Sequence, residues 1–206
     1  MTVRILKMYE SNINERYMDL VIDTLRGGGI VIYPTDTLYA IGCDALNNNA
    51  IEKICKLKGI NPQKTNLSIV CNDISQAAEY ARIDNRSFQL LRANLPGSFT
   101  FILPASNSLP KVFKGRKTVG VRIPDNAIAR LLAQRLGNPV LTTSIQWTED
   151  FPEEGCEPES IALRYENDVD LLIDCGRGDL VPSTVIDCTD SNNPEIVREG
   201  KGELNE

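Results

Sequence analysis

The chain has 206 residues, 42% of them hydrophobic and 24% charged, with 28 acidic against 22 basic side chains and a net charge of −6. That length closes a hydrophobic core within one domain, and that balance excludes disorder and fibrous repeats. Histidine is absent, which excludes Ser-His-Asp and Cys-His nucleophile pairs, an imidazole general base and His-ligated zinc.

The opening stretch MTVRILKMYESNINER has neither an apolar core nor a small-residue cleavage site. No apolar run approaches the roughly 20 residues a bilayer requires, so a cytoplasmic protein with no membrane role is expected. Ile13, Tyr17, Leu20, Val21 and Leu25 recur at helical spacing, and Gly27-Gly28-Gly29 ends that helix as a C-cap and turn. Short apolar, β-branched runs follow at 30–33, 38–41, 67–70, 99–103 and 119–123, then at 140–141, 169–173 and 184–186. Amphipathic stretches at 50–57, 88–95 and 128–136 lie between them. Strands mixed with helices of this length predict a single-domain α/β fold with a largely buried sheet. A looser acidic insert is expected around 147–159, and no internal repeat or long linker interrupts the chain.

Charge is divided unevenly. Residues 1–144 hold 18 Lys and Arg against 11 Asp and Glu, whereas residues 145–206 hold 4 against 17. The basic excess gathers at Lys53, Lys56, Lys58 and Lys64, and again at Lys111, Lys114, Arg116, Lys117 and Arg122. Such a split marks either a face for an anionic partner or two solvated faces. The acidic total argues against non-specific coating of nucleic acid. The six cysteines (43, 55, 71, 156, 175 and 188) form no CxxC pair, so reduced, partly buried thiols are expected and no protein-held metal.

Neither a GxxxxGK[ST] loop nor a strand-following GxGxxG is present, which leaves P-loop and dinucleotide binding without support. What remains is a series of polar groups at strand ends. In YPTDTLYAIG, Pro34 breaks a strand and Thr35, Asp36 and Thr37 follow, as either a ligand-binding bend or an ordinary turn. Lys56 and Lys58 close a helix, where they complement its dipole or meet phosphates, and Asn66 and Ser68 enter the next strand. Alternation in GRKTVGVRIP places Thr118, Gly120 and Arg122 on one side of a strand. An arginine in an apolar strand needs an anion, either a ligand carboxylate or phosphate or an internal Asp or Glu. Thr142, Ser144, Ser183, Thr184 and Arg198 end later strands.

In order and spacing, GGGIVIYPTDTLYAIGCDA, KLKG…NLSIV, LPGSFTFILPA, KTVGVRIPDNAIARLL, VLTTS and PSTVIDCT…EIVREG resemble the YrdC-type family of threonylcarbamoyl-AMP synthases across nearly the whole chain. The resemblance implies a twisted mixed sheet with flanking helices and a concave, basic cavity. It implies condensation of L-threonine, bicarbonate and ATP to threonylcarbamoyl-AMP and pyrophosphate, for modification of tRNA adenosine 37, with Mg²⁺ carried by the phosphates. By matched position Thr37, Arg122 and Ser183 would hold threonine, and Lys58, Asn66, Thr118, Ser144 and Arg198 would surround ATP. Catalysis would be mainly positioning and charge neutralisation, for which no histidine is needed.

Two signatures depart from that pattern. The usual Lys-x-Arg reads Lys58-Gly59-Ile60, and the usual Ser-x-Asn reads Ser144-Ile145-Gln146. These changes, with the insert after Gln146, are closer to the YciO-type branch. The resemblance therefore carries two readings, an active synthase and a paralogue that binds RNA (tRNA or double-stranded RNA) or nucleotide with little or no synthase activity.

Overall fold

The computed structural model describes residues 3–62, 64–115 and 117–205. Its centre is a ten-stranded mixed sheet, ordered β1-β8-β2-β3-β7-β4-β6-β5-β9-β10. The strands are β1 (Arg4–Lys7), β2 (Val31–Tyr33), β3 (Ala40–Asp44), β4 (Ser68–Val70), β5 (Phe99–Pro104), β6 (Thr118–Arg122), β7 (Val140–Ser144), β8 (Leu171–Asp174), β9 (Thr184–Asp187) and β10 (Glu195–Arg198). The helices are α1 (Glu15–Arg26), α2 (Asn48–Leu57), α3 (Ile74–Tyr80), α4 (Asn85–Asn94), α5 (Ala127–Leu136), α6 (Glu153–Cys156) and α7 (Pro158–Arg164).

Local sequence explains where the helices begin. Asn14, Asn47, Asp73, Asp84 and Asn126 each accept a backbone N–H three residues on, satisfying a donor that the first turn leaves open. The α5 helix ends on Gly137 in the left-handed region, φ 77°, where a side chain is disfavoured.

Each sheet face receives its own apolar layer. Helices α1 and α5 cover Val31, Tyr33, Val70, Val140, Leu171 and Ile173 on one face. Helices α2, α3, α4 and α7 close a larger core over Ile32, Ile41, Ile69, Phe101, Val121 and Leu172 on the other. Two-residue alternation then decides where polar groups emerge. On the α1/α5 face the strands are apolar under the helices and polar beyond them: Val70 gives way to Ser68, and Val140 to Thr142 and Ser144. Ser68 pairs with Gly120 on one side and Thr142 on the other, so these positions form one row across the sheet. The uncovered end of that row becomes the floor of a cavity.

The predicted helices and strand runs are all present, with boundaries shifted by a few residues; the strand expected at 38–41 starts at Ala40. Strand β1 and helices α3, α6 and α7 lie outside the elements expected from the sequence. The acidic insert is more ordered than expected, because 147–159 contains α6 and the start of α7, with Cys156, Gly155 and Pro158 buried. Pro158 starts α7 at a position where its missing N–H costs nothing. Trp147 and Leu180 lie so close to Gly155 that a Cβ there would meet them at 2.5 and 2.8 Å, so the insert is packed rather than loose.

Candidate functional site

The cavity, about 270 Å³, lies over the open half of the α1/α5 face and is lined by Ser68, Thr100, Arg122, Thr142, Ser144, Ser183 and Arg198 among others. Gly120 keeps its floor open: a Cβ there would stand 2.3 Å from Ser68 Oγ.

Arg122, at the end of β6, is only 4% exposed. One terminal nitrogen donates to Thr37 Oγ1 at 2.9 Å and lies 3.4 Å from Asp36 Oδ1. Its Nε is buried without a hydrogen-bond partner. Burial lowers the guanidinium pKa, Asp36 opposes that shift, and Arg198 adds to it. The internal ion pair therefore exists, but it leaves one donor of a buried arginine unspent.

Thr37 is held by its own turn. Thr35 Oγ1 accepts from the Thr37 amide at 3.0 Å and donates to the Leu38 carbonyl at 2.7 Å, which fixes the bend that Pro34 begins. Asp36 turns the other way. Its Oδ2 accepts from Ser98 Oγ and the Asp125 amide, and its carbonyl accepts from Lys201 Nζ at 2.8 Å. Lys201 also pairs with Asp179, so the segment after β10 ties the Thr35–Thr37 bend to the 179–183 loop.

On the neighbouring strands, Ser183 Oγ shares a 2.9 Å hydrogen bond with Thr100 Oγ1. Arg198 donates twice to the Ser183 carbonyl, at 2.7 and 3.3 Å. Burial lowers the Arg198 pKa as well. At the rim, Lys58 Nζ donates to the Ser144 carbonyl at 2.7 Å, and burial, with Arg164 adding, lowers the Lys58 pKa to about 8. Thr118 donates to Asn66 Oδ1 at 2.9 Å, joining the entrances of β4 and β6.

Arg122, Ser183, Asn66, Ser144 and Arg198 thus line one cavity, with Thr37, Thr118 and Lys58 each one hydrogen bond from its lining. Ile60 lines it too, as an aliphatic wall, whereas Gln146 is exposed and its backbone N–H donates to Tyr165 Oη at 3.1 Å. Lys53, Lys56, Lys111 and Lys117 are exposed and none lines the cavity, so the basic excess reaches it only in part. Arg116 and the Lys114 side chain lie outside the described residues. Sequence reasoning named Asp36 and Thr142 as strand-end polar groups without assigning them a ligand, and it missed Thr100 and Lys201. Asp36 stood inside the quoted YPTDT bend, and Thr142 inside VLTTS. Lys201 carried no local signal, since its partners are 165 and 22 positions away in the chain.

In this arrangement Lys58 and Arg198 meet carbonyls, and Arg122 meets a hydroxyl and, at the edge of hydrogen-bond distance, the Asp36 carboxylate. Such a set of donors suits an anionic ligand. The Sua5/YciO/YrdC family model, described as "Telomere recombination", matches residues 23–200. The uncharacterized protein YciO of Escherichia coli K12 is 38% identical over 200 residues, covering 96% of this chain and 95% of its own. The crystal structure of E. coli YciO superposes with a TM-score of 0.88 at 37% identity, covering 98% and 97% of the two chains. P. abyssi Sua5 complexed with L-threonine superposes at 0.82 with 29% identity, over 95% of this chain and 57% of its own.

Proposed function

Because the chain belongs to the Sua5/YciO/YrdC family, we propose that it is a threonylcarbamoyl-AMP synthase acting on L-threonine, bicarbonate and ATP. One observation carries the reading: a buried arginine, Arg122, that donates to Thr37 through one terminal nitrogen and keeps an unpartnered Nε, in a cavity also lined by Ser183. A guanidinium in that condition recovers its lost solvation when a carboxylate arrives. The Sua5 relative bound to L-threonine supports threonine as that carboxylate's owner.

The chemistry then divides between ligands and chain. The threonine amine adds to the carbon of bicarbonate, water leaves, and the resulting carbamate oxygen attacks the α-phosphorus of ATP as pyrophosphate departs. Arg122 and Thr37 orient the amino acid, Arg198 and Lys58 neutralise phosphate charge, and Asn66, Thr118 and Ser144 flank the nucleotide. Among the described residues no group of three Cys, Asp or Glu side chains is placed to hold a metal, so Mg²⁺ would travel on the triphosphate. The adenylate would pass to enzymes that modify tRNA adenosine 37.

A second reading has its own observation. Ile60 presents an aliphatic wall to the cavity, and Gln146 faces solvent, so two signature positions contribute no polar group. That favours a paralogue that binds nucleotide or RNA with little synthase activity. Pyrophosphate release from ATP, with threonine and bicarbonate added singly and together, separates the two. Release that requires both supports the synthase. No release, with RNA binding that weakens steeply with salt, supports the paralogue.

A further inference from the structure

Helix α7 and the insert before it bring a second cation, Arg164, toward the strand end that holds Lys58. Lys58 Nζ spends one donor on the Ser144 carbonyl, at the end of β7. Two residues on, the Gln146 amide donates to Tyr165 Oη, which fixes the end of α7 against the same strand end. Arg164, beside Tyr165, lays its guanidinium 5.9 Å from the Tyr165 ring centre. Its carboxylate partner is Glu154 of α6, and both side chains are about one-third exposed, at 31% and 34%. Lys58 has no carboxylate within ion-pair distance among the described residues.

Two cations are therefore held beside one strand end. One is bound to a neutral carbonyl, the other to a solvent-screened acid on the same insert. Their mutual repulsion contributes to the lowered Lys58 pKa. A half-buried lysine next to an arginine is costly unless an anion bridges them, and a surface pair such as Arg164–Glu154 contributes little enough to be exchanged. A polyphosphate chain has the right chemistry, since adjacent phosphates offer oxygens to a point charge and to a planar fork together.

We propose that Lys58 and Arg164 form a diphosphate subsite at the end of β7, with Glu154 as the carboxylate that Arg164 releases when the anion binds. For the nucleotide the subsite deepens, and rests on, the ATP reading above, taking the phosphates beyond the α-phosphorus. Free pyrophosphate has the same chemistry.

The test is calorimetric titration of the full chain with pyrophosphate, ATP, AMP and L-threonine, in wild type, Arg164→Gln and Glu154→Gln. Both variants break the same surface pair, so a purely structural role moves affinity the same way in both. The subsite predicts opposite signs. Arg164→Gln weakens pyrophosphate and ATP about tenfold, the low end for a lost charge-assisted hydrogen bond, and leaves AMP unchanged. Glu154→Gln tightens both about threefold. A change seen with ATP alone assigns the subsite to nucleotide, and one seen with pyrophosphate alone assigns it to the free anion. Equal shifts in both variants, or no shift in Arg164→Gln, overturn the subsite. Threonine binding to a wild type that takes neither ATP nor pyrophosphate overturns the subsite and leaves the threonine half of the reading standing. Binding of none of the four overturns both.

Discussion

Arg122 and Asp36 form a buried pair, 3.4 Å apart, that saturates neither partner: the carboxylate's second oxygen serves Ser98 and Asp125, and the arginine's Nε serves no group. Asp36 thus sets the guanidinium's direction without consuming it. Asp36→Asn keeps the shape and removes the countercharge, which leaves Arg122 buried and uncompensated. It should cost about 3 kcal/mol in urea unfolding, the lower end for a broken buried pair. L-Threonine should then stabilise the variant less than it stabilises wild type, read as the shift in thermal midpoint.

The floor of the cavity is open because residue 120 has no side chain. In Gly120→Ala the added Cβ would press on Ser68 Oγ and lie 3.1 Å from Thr100 Cγ2. Overpacking of this kind costs about 1–3 kcal/mol. Ligand affinity should fall further than stability does, because the displaced Ser68 must turn into the binding volume. Titration with threonine and with ATP, at temperatures where the variant is fully folded, checks this.

Lys58 makes both stability and binding depend on pH, in opposite directions. Its folded pKa is about 8 against an ordinary 10.5, so between those values the unfolded chain holds a proton that the folded chain has released. Stability from this group therefore rises with pH across that window, and the rise is absent in Lys58→Met. Anion affinity needs the charged form and falls as pH climbs through about 8. Unfolding curves and pyrophosphate titrations at pH 7 and 9.5 should move oppositely.

Ile60 lines the cavity at the position where the Lys-x-Arg pattern of the resemblance calls for arginine. Ile60→Arg should raise ATP affinity about tenfold, the scale of one charge-assisted hydrogen bond. If the synthase reading holds, pyrophosphate release should rise with it. Affinity that rises without release favours the binding paralogue.

All six cysteines are free thiols and all but Cys175 are buried. Burial raises the pKa of each, Cys188 to about 12, which keeps thiolate scarce near neutral pH. A thiol-specific disulfide reagent at pH 8 should label at most one site slowly in the native chain, and six after denaturation.

Much of this was legible in the sequence because it is local. The stripe from Ile13 to Leu25 became α1, and alternation in 118–122 put Thr118 and Arg122 on the side that became polar. What escaped was short or distant. Strand β1 has four residues and only Leu6 buried, so its pattern is no stronger than a loop's. Helix α3 shows Asp73 as a cap but spans seven residues, too few for a convincing stripe. Tyr33 reaches Thr142 Oγ1, 109 positions on, only because Gly42 leaves room for its ring. Two-residue alternation says which face a side chain takes and nothing about which strand lies beside it. The Arg122–Asp36 pair, 86 positions apart, depends on that missing information.

Strand order also governs when the cavity can exist during synthesis. Strand β8 inserts between β1 and β2, β7 between β3 and β4, and β9 beside β5, so each early strand waits for a late one. The Asp36 carbonyl meets Lys201 only after 165 further residues have been made. A nascent chain stopped before Ser183 lacks that hydroxyl, Arg198 and the Lys201 tie, and it carries unpaired strand edges. Such pairings form slowly, and the exposed edges invite association with other chains. The cavity is therefore completed only after residues 183–201 have left the ribosome, and truncated products carry the open edges without it.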